Sequence, residues 1–83
     1  ILPLSVGAYD PDHLTLLKET NECPKCDLSG ANLEVANLKG ANLEWANLEW
    51  ANLQGANTDY ATMKGAILCN TTMPDGTKDN SGC

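Results

Sequence analysis

The sequence predicts an all-β solenoid, a chain wound into a column that bends once in every five residues. Between residues 26 and 75 the 83-residue chain repeats every five residues, as in ANLEW at 41–45 and again at 46–50. Each five has a central residue, here called the centre, and a small residue two positions before it. The centres are Leu28, Leu33, Leu38, Leu43, Leu48, Leu53, Thr58, Met63, Leu68 and Met73. A fixed period of this kind is the signature of a repeat architecture.

The odd period excludes the regular alternatives. In an extended chain the centre and the small residue point the same way, because side chains alternate with a period of two. In an α-helix each repeat would advance about 500°, so the apolar side chains would form no stripe. In a flat sheet successive fives would swap faces. A bend in every five keeps all centres inside, and a turn of four such bends closes a square.

The bends have a sequence signal at the second position after the centre, here called the corner. Four of the corners are glycines, namely Gly30, Gly40, Gly55 and Gly65. Glycine suits the positive φ that the third position of a type II turn requires. The remaining corners are Val35, Trp45, Trp50, Tyr60 and Asn70. Because β-branched and aromatic residues resist positive φ, we predict a different turn at those corners.

Four fives per turn place residues that are twenty apart above one another, so that Leu28 stacks on Leu48. The position after the centre then brings opposite charges together. The predicted pairs are Lys39–Asp59 and Glu44–Lys64. Exposed pairs of this kind contribute only ~0.2–1 kcal/mol each. At the corners Trp45 neighbours Gly65, and an aromatic ring beside a glycine can lie across it.

The tandem A-(N/D)-L-x-x pattern resembles the pentapeptide-repeat family, whose members form a right-handed quadrilateral β-helix. The resemblance covers residues 26–75, or about 2.5 coils. The lead-in CPKCDLSGANL and the tail LCNTTMPDGTKDNSGC further resemble small cyanobacterial members. Departures come late, where Thr58 replaces a central leucine and Thr62 and Ile67 replace the outward asparagine. Thr71 replaces the small alanine. We therefore expect the repeat to fade toward the C-terminus.

Residues 1–25 are predicted to form an N-terminal segment and a capping helix. The helix runs from Asp10 to about Thr20, with Asp10 as the N-cap and Pro11 at the first helical position. Leu14 and Leu17, three apart, form its inward face. Such a helix would cover the open end of the coil, where unpaired strand edges otherwise invite aggregation.

Two further expectations concern this N-terminal part of the chain. The lone His13 is predicted on the solvent side of the helix, with a ligand role as the alternative. Residues 1–8 are apolar and begin without methionine, as a mature N-terminus does after removal of a signal peptide.

The four cysteines, Cys23, Cys26, Cys69 and Cys83, predict two disulfides in an oxidising compartment. Three connectivities are open, and we favour Cys23–Cys26 with Cys69–Cys83. The second bond closes a loop of about fifteen residues, worth roughly 3 kcal/mol in the chain-entropy model. It would hold the tail, residues 76–83, over the C-terminal end. We expect an extracytoplasmic location: periplasm, thylakoid lumen or the outside.

The CPKC sequence also has the form of a thiol–disulfide oxidoreductase motif, which makes redox chemistry at Cys23 and Cys26 the alternative function. Such motifs open a helix whose N-terminus stabilises the thiolate. Here the predicted helix ends before Cys23, and the acidic neighbours Glu22 and Asp27 disfavour a thiolate. A C-x2-C pair followed by widely spaced single cysteines is also a poor zinc pattern. We predict no metal and no cofactor.

The composition and the filled interior argue against an enzyme and against nucleic acid as a partner. The net charge of −6 disfavours binding to phosphates. An interior of Leu, Met and Ala leaves no substrate pocket. The carboxylates of Glu44 and Glu49 lie on successive sides of the square and point apart, so they do not form a catalytic pair. The sequence contains no run of about 18 apolar residues, so it predicts no membrane span.

Surface recognition remains as the predicted activity. Exposed aromatics can anchor an interface, and Trp45, Trp50 and Tyr60 form the candidate protein-binding surface. Some longer family members resemble a DNA duplex and bind topoisomerases, but at ~4.8 Å per coil this column spans only about 12 Å. The sequence therefore predicts a monomeric, non-enzymatic structural or protein-interaction module of unknown partner.

Overall fold

A computed structural model of the chain describes residues 8–83; residues 1–7, with the predicted processed N-terminus, lie outside the described part. Its elements are helix α1 (Pro11–Thr20) and strands β1 (Thr71–Thr72) and β2 (Lys78–Asp79). Between α1 and β1 the chain winds as a coil. Its successive turns pair through single parallel bridges at Glu22–Asn42, Asp27–Asn47, Asn32–Asn52, Asn37–Asn57, Asn42–Thr62, Asn47–Ile67 and Asn52–Thr72.

Every bridge joins residues that are twenty apart, which confirms four fives per turn. The Leu28 N–H donates to the Asn47 carbonyl at 2.9 Å, and the Asn47 N–H donates to the Cys26 carbonyl at 2.9 Å. Because the chain turns on either side of each bridge, a side contributes one paired residue rather than a long strand. The first bridge involves Glu22, which lies in the five (21–25) directly before residue 26.

The core is the stack of leucine centres. Leu28, Leu33, Leu38, Leu43, Leu48 and Leu53 are each at most 2% exposed. Burying one leucine fully stabilises the fold by about 1.5–3 kcal/mol. Later centres such as Met63 and Leu68 are only half-buried, so the repeat fades as predicted. Thr71, in an alanine position, is buried, and its hydroxyl donates to the Leu48 carbonyl at 2.7 Å.

The prediction of a different turn at the non-glycine corners is wrong. Val35, Trp45 and Tyr60 have φ of 59°, 62° and 62°, close to the 70° of Gly40. The turn bond is the same as well, since Ala46 N–H donates to the carbonyl three residues before it. The reason lies in the backbone hydrogen bonds between successive coils, here called the ladder. The Trp45 N–H donates to the Lys64 carbonyl of the next coil at 2.9 Å. Stacking fixes the corner and outweighs the roughly 1–2 kcal/mol that positive φ costs an L-residue.

The outward asparagines have a structural role that sequence reasoning missed. Each accepts, through Oδ1, the N–H two residues further on, as Asn47 does from Glu49 at 3.0 Å. The same bond is made by Asn32, Asn37, Asn42, Asn52 and Asn57. Asparagine side chains form such local turns readily. The recurrence of Asn directly before each centre was the available signal.

Helix α1 begins as predicted. The Asp10 carboxylate accepts from the Asp12 N–H at 2.9 Å, Pro11 is the first helical residue, and Leu17 is fully buried. The helix ends at Thr20, and the next residue, Asn21, has a φ of 58° and forms a left-handed C-cap. Within residues 8–83 no helix has the length and apolar character to cross a membrane.

The expectation that His13 lies on the solvent side of α1 is wrong. The ring is half-buried against the first coil, and its Nδ1 accepts from the Asp27 N–H at 2.9 Å. Within residues 8–83 no preceding turn of the coil supplies a carbonyl at this point, and the imidazole nitrogen serves as the acceptor instead.

The C-terminal tail pairs onto the last turn of the coil. β1 and β2 are antiparallel, with Thr71 opposite Asp79, and the Gly82 N–H donates to the Leu68 carbonyl at 2.7 Å. Hydrogen bonds from the Thr77 hydroxyl and backbone lower the pKa of the exposed Asp75 carboxyl. Those from Ser81 lower the pKa of Asp79 in the same way. The tail thus covers part of the open end.

Candidate interaction surface

Two tryptophans lie at the two ends of the side formed by residues 46–50. Trp45 is 55% exposed and Trp50 is 50% exposed. Both backbones are held in the ladder, because the Trp50 N–H donates to the Cys69 carbonyl at 2.9 Å, as Trp45 does to Lys64. The two side chains therefore project from fixed points on one side of the column.

Ile67 adds a third apolar side chain to this side. It is bridged to Asn47, directly between the two corners, and is 39% exposed. We call Trp45, Trp50 and Ile67 together the tryptophan face. Sequence reasoning noted that Ile67 replaces an asparagine but interpreted the change only as fading of the repeat. The signal was its register, twenty residues after Asn47.

The Trp45 ring lies across the backbone of Gly65, as predicted. A Cβ added to Gly65 would overlap the ring, whereas one added to Gly40 would meet no atom within 4 Å. Tyr60, stacked on Gly40, is 86% exposed and projects away. The absence of a side chain at Gly65 thus allows the Trp45 ring to pack against the backbone there.

Tyr60 is not part of the tryptophan face. It ends the side formed by residues 56–60, and the exposed Val35 ends the side 31–35. The structure therefore places two of the three sequence-predicted aromatics at the two ends of one side and the third at the end of a separate side.

The charges on the column surface are not paired with one another. The predicted columns Lys39–Asp59 and Glu44–Lys64 have the right register, yet neither forms an ion pair. In the described part of the chain the contact between a basic nitrogen and a carboxylate within 4.0 Å is that of His13 with Asp10. Glu34 instead accepts from the Asn52 side-chain amide at 2.6 Å.

The cysteines form two disulfides, Cys23–Cys26 and Cys69–Cys83, which are the favoured pairs. Cys23 and Cys26 point into the first coil and are 0% and 4% exposed. Over residues 8–83 no three His, Cys, Asp or Glu side chains are grouped to hold a metal ion. A cavity of about 360 Å³ beside α1 is lined by Lys18, Asn32, Leu33, Glu34, Ala36, Asn37 and Leu38.

Comparison with known proteins defines the class of the chain. Pentapeptide repeats, in eight copies, match residues 25–55 and 46–75. The chain therefore belongs to the pentapeptide-repeat family, and this membership implies a right-handed β-helix. No curated protein matches the chain.

Two solved cyanobacterial structures are similar to it. The crystal structure of HetL, a pentapeptide-repeat protein involved in heterocyst differentiation regulation from Nostoc sp. strain PCC 7120, is 53% identical with a TM-score of 0.63. The match covers 64% of this chain and 22% of HetL, so this chain corresponds to about a fifth of that protein. Rfr23 from Cyanothece 51142 is 37% identical over 54% of this chain and 41% of its own, with a TM-score of 0.31.

Replacing Gly65 with alanine should disturb the tryptophan face. Both Gly65 and Gly40 have positive φ, at 71° and 70°, so each substitution carries a backbone cost of about 1–2 kcal/mol. Only the change at Gly65 also pushes against the Trp45 ring. We expect a larger loss of unfolding free energy than for Gly40→Ala and a shifted tryptophan emission maximum, both measured by urea titration in a Trp50→Phe background. Equal effects of the two variants would show that Trp45 does not rest on Gly65.

Proposed function

We propose that the chain is a non-enzymatic protein-interaction module that binds a partner protein through the tryptophan face. The observation that carries the proposal is the placement of Trp45, Trp50 and Ile67, all exposed, on one side of a rigid column. Tryptophan is enriched among the residues that dominate binding energy. Because the ladder fixes both corners, little backbone entropy would be lost on binding.

The proposed partner presents apolar side chains to this face. The face consists of three large apolar side chains, and two of the polar side chains beside it, Asn47 and Asp27, are engaged within the column. The Asn47 Oδ1 already accepts from Glu49, and the Asp27 carboxylate accepts from Ser29 at 2.7 Å. An apolar partner would leave these two side chains bonded, and it would place a hydrogen-bond donor or a cation opposite the Glu49 carboxylate on the same side.

The regulatory description of HetL is in keeping with a binding role. This chain is similar to a segment of that protein, and regulation through contacts needs no catalytic residues. We extend the proposal to a right-handed quadrilateral column of about 2.5 coils, located outside the cytoplasm. The two disulfides support that location, because such bonds persist in oxidising compartments.

The alternative of thiol redox catalysis is less well supported. Cys23 is fully buried and Cys26 nearly so, whereas a catalytic disulfide must meet its substrate. Titration of native protein with a thiol reagent should find no reactive cysteine under this proposal.

The binding proposal is tested by affinity capture from an extract of the source organism. The bait is the wild-type chain, a Trp45→Ala/Trp50→Ala variant or a Tyr60→Ala variant. Tyr60 is the matched control because it is an exposed aromatic corner on another side. We expect a protein that is retained by wild type and Tyr60→Ala and lost with the double variant. Its purified form should bind the double variant at least about tenfold more weakly.

An identical set of captured proteins for all three baits would refute the assignment of the tryptophan face. Far-UV circular dichroism and urea unfolding of each bait verify that the column is intact. Since both tryptophan side chains are half-exposed, their removal should leave the fold in place.

A further inference from the structure

The first coil has a backbone edge that the inner coils do not have. In the second coil the Asn47 N–H donates to the Cys26 carbonyl, and the Asn47 carbonyl accepts from the Leu28 N–H, each at 2.9 Å. The equivalent groups of Asp27, twenty residues earlier, face away from the second coil. A backbone N–H and C=O at such an edge need partners from elsewhere.

Helix α1 supplies both partners. The Asp27 N–H donates to Nδ1 of His13 at 2.9 Å, and the Asp27 carbonyl accepts from the Asp10 N–H at 3.1 Å. The imidazole nitrogen thus takes the place of the carbonyl of a preceding coil. The Asp10 amide takes the place of that coil's N–H. The start of α1 is joined to the column at one residue by two hydrogen bonds.

The Cys23–Cys26 disulfide lies under this joint. The Cys23 sulfur is 3.3 Å from the His13 carbonyl oxygen. Since a disulfide sulfur carries no proton, this is a packing contact and not a hydrogen bond. The fully buried Leu17 belongs to the same core cluster as both cysteines. Reagents in solution therefore meet α1 before they meet these sulfurs.

We propose that α1 is an acid-released lid over the Cys23–Cys26 disulfide and that neutral His13 is its latch. The latch needs the lone pair of Nδ1, because that atom accepts the Asp27 N–H. A doubly protonated imidazole has an N–H on both nitrogens and no acceptor. Histidine is the side chain that changes charge between pH 5 and 8.

Two residues that contact the ring, Asp10 and Asp27, carry carboxylates that bear on the direction of the effect. The Asp10 Oδ2 is 3.5 Å from Nε2 of His13 and attracts the ring when it is charged. Asp10 and His13 are both carried by the start of α1, however, so their attraction persists when the lid leaves the column. The Asp27 carboxylate, on the column side, is engaged by the Ser29 hydroxyl at 2.7 Å. Release breaks both bonds at Asp27, but protonation of the ring by itself removes only the bond from the Asp27 N–H to His13. Acid therefore weakens the closed lid and favours the open one.

Release of the lid makes the disulfide reducible. A phosphine then attacks one sulfur and the S–S bond breaks. Water supplies the oxygen of the phosphine oxide and the two protons of the new Cys23 and Cys26 thiols. In neutral solution the closed lid keeps the same reductant out.

The test measures reduction of both disulfides in one molecule by a water-soluble phosphine at pH 7.5 and pH 5. Timed samples are alkylated, and the reduced fraction of each pair is quantified by peptide mass spectrometry. Cys69–Cys83 lies at the other end of the chain and serves as the internal standard for the reagent's own pH dependence. In wild type we expect the rate of Cys23–Cys26 relative to Cys69–Cys83 to rise about tenfold at pH 5, as loss of one hydrogen bond to a part-buried donor predicts.

Two variants separate the latch from general instability. His13→Ala removes the acceptor, so the relative rate should be high at both pH values. His13→Asn keeps an oxygen acceptor for the Asp27 N–H and cannot gain a proton, so the relative rate should be low at both. A wild-type ratio that is the same at both pH values, or a His13→Asn ratio that follows wild type, would overturn the proposal. If His13→Ala does not fold, the comparison of wild type with His13→Asn decides alone.

Discussion

Replacing Leu48 with alanine should lower the free energy of unfolding by about 2–5 kcal/mol. Leu48 is a fully buried centre in the middle of the leucine stack, between Leu28 in the preceding turn and Leu68 in the next. The ladder holds the backbone on both sides, so the walls cannot collapse into the vacated volume. A cavity therefore adds to the lost burial.

Urea unfolding followed by circular dichroism measures this loss. The matched control is Leu16→Ala, the same substitution at an exposed position of α1, which should change stability by no more than about 0.5 kcal/mol. Equal losses for the two variants would mean that the leucine column is not the tightly packed core described above. Low temperature keeps the weakened variant folded enough to measure.

Removing the Cys69–Cys83 bond should free the tail. In a Cys69→Ala/Cys83→Ala variant we expect a loss of roughly 3 kcal/mol, the chain-entropy value for a loop of about fifteen residues. The measurement specific to the tail is amide hydrogen exchange at Gly82 and Asn70. Their N–H groups donate to the Leu68 carbonyl and the Asn80 side chain, at 2.7 Å each. Their exchange should accelerate far more than that of Asn47 in the central ladder.

The Cys23→Ala/Cys26→Ala variant is the matched control for this prediction. It removes a disulfide of sequence separation 3 instead of 14, at the opposite end of the column. Exchange at Gly82 should then stay slow. Protected tail amides in the Cys69→Ala/Cys83→Ala variant would show that strand pairing alone holds the tail.

The parts of the fold that depend on period and on local capping could be predicted from the sequence. An odd repeat of apolar residues permits one winding, so the register of Leu28 on Leu48 follows from counting. Asp10 and Pro11 start a helix through bonds within a few residues of themselves. Neither conclusion requires knowledge of a distant side chain.

The parts that failed depend on neighbours fourteen or more residues away. Single-residue preference argued against positive φ at Val35 and Trp45, but the ladder bonds of the next coil decide those corners. His13 looked like a surface residue because its partner, the Asp27 N–H, becomes an unpaired edge only in the folded column. Ile67 looked like decay of the repeat because its place between Trp45 and Trp50 exists only in three dimensions.

The uniform corner has a consequence for how such a surface can change. Glycine, valine, tyrosine and tryptophan occupy corners of nearly the same φ, so the identity of a corner side chain is uncoupled from the path of the backbone. Where the corner side chain meets open space, as at Gly40, a substitution alters what the column displays for a backbone penalty of about 1–2 kcal/mol. New recognition properties can therefore arise at one corner at a time, each step leaving a folded protein.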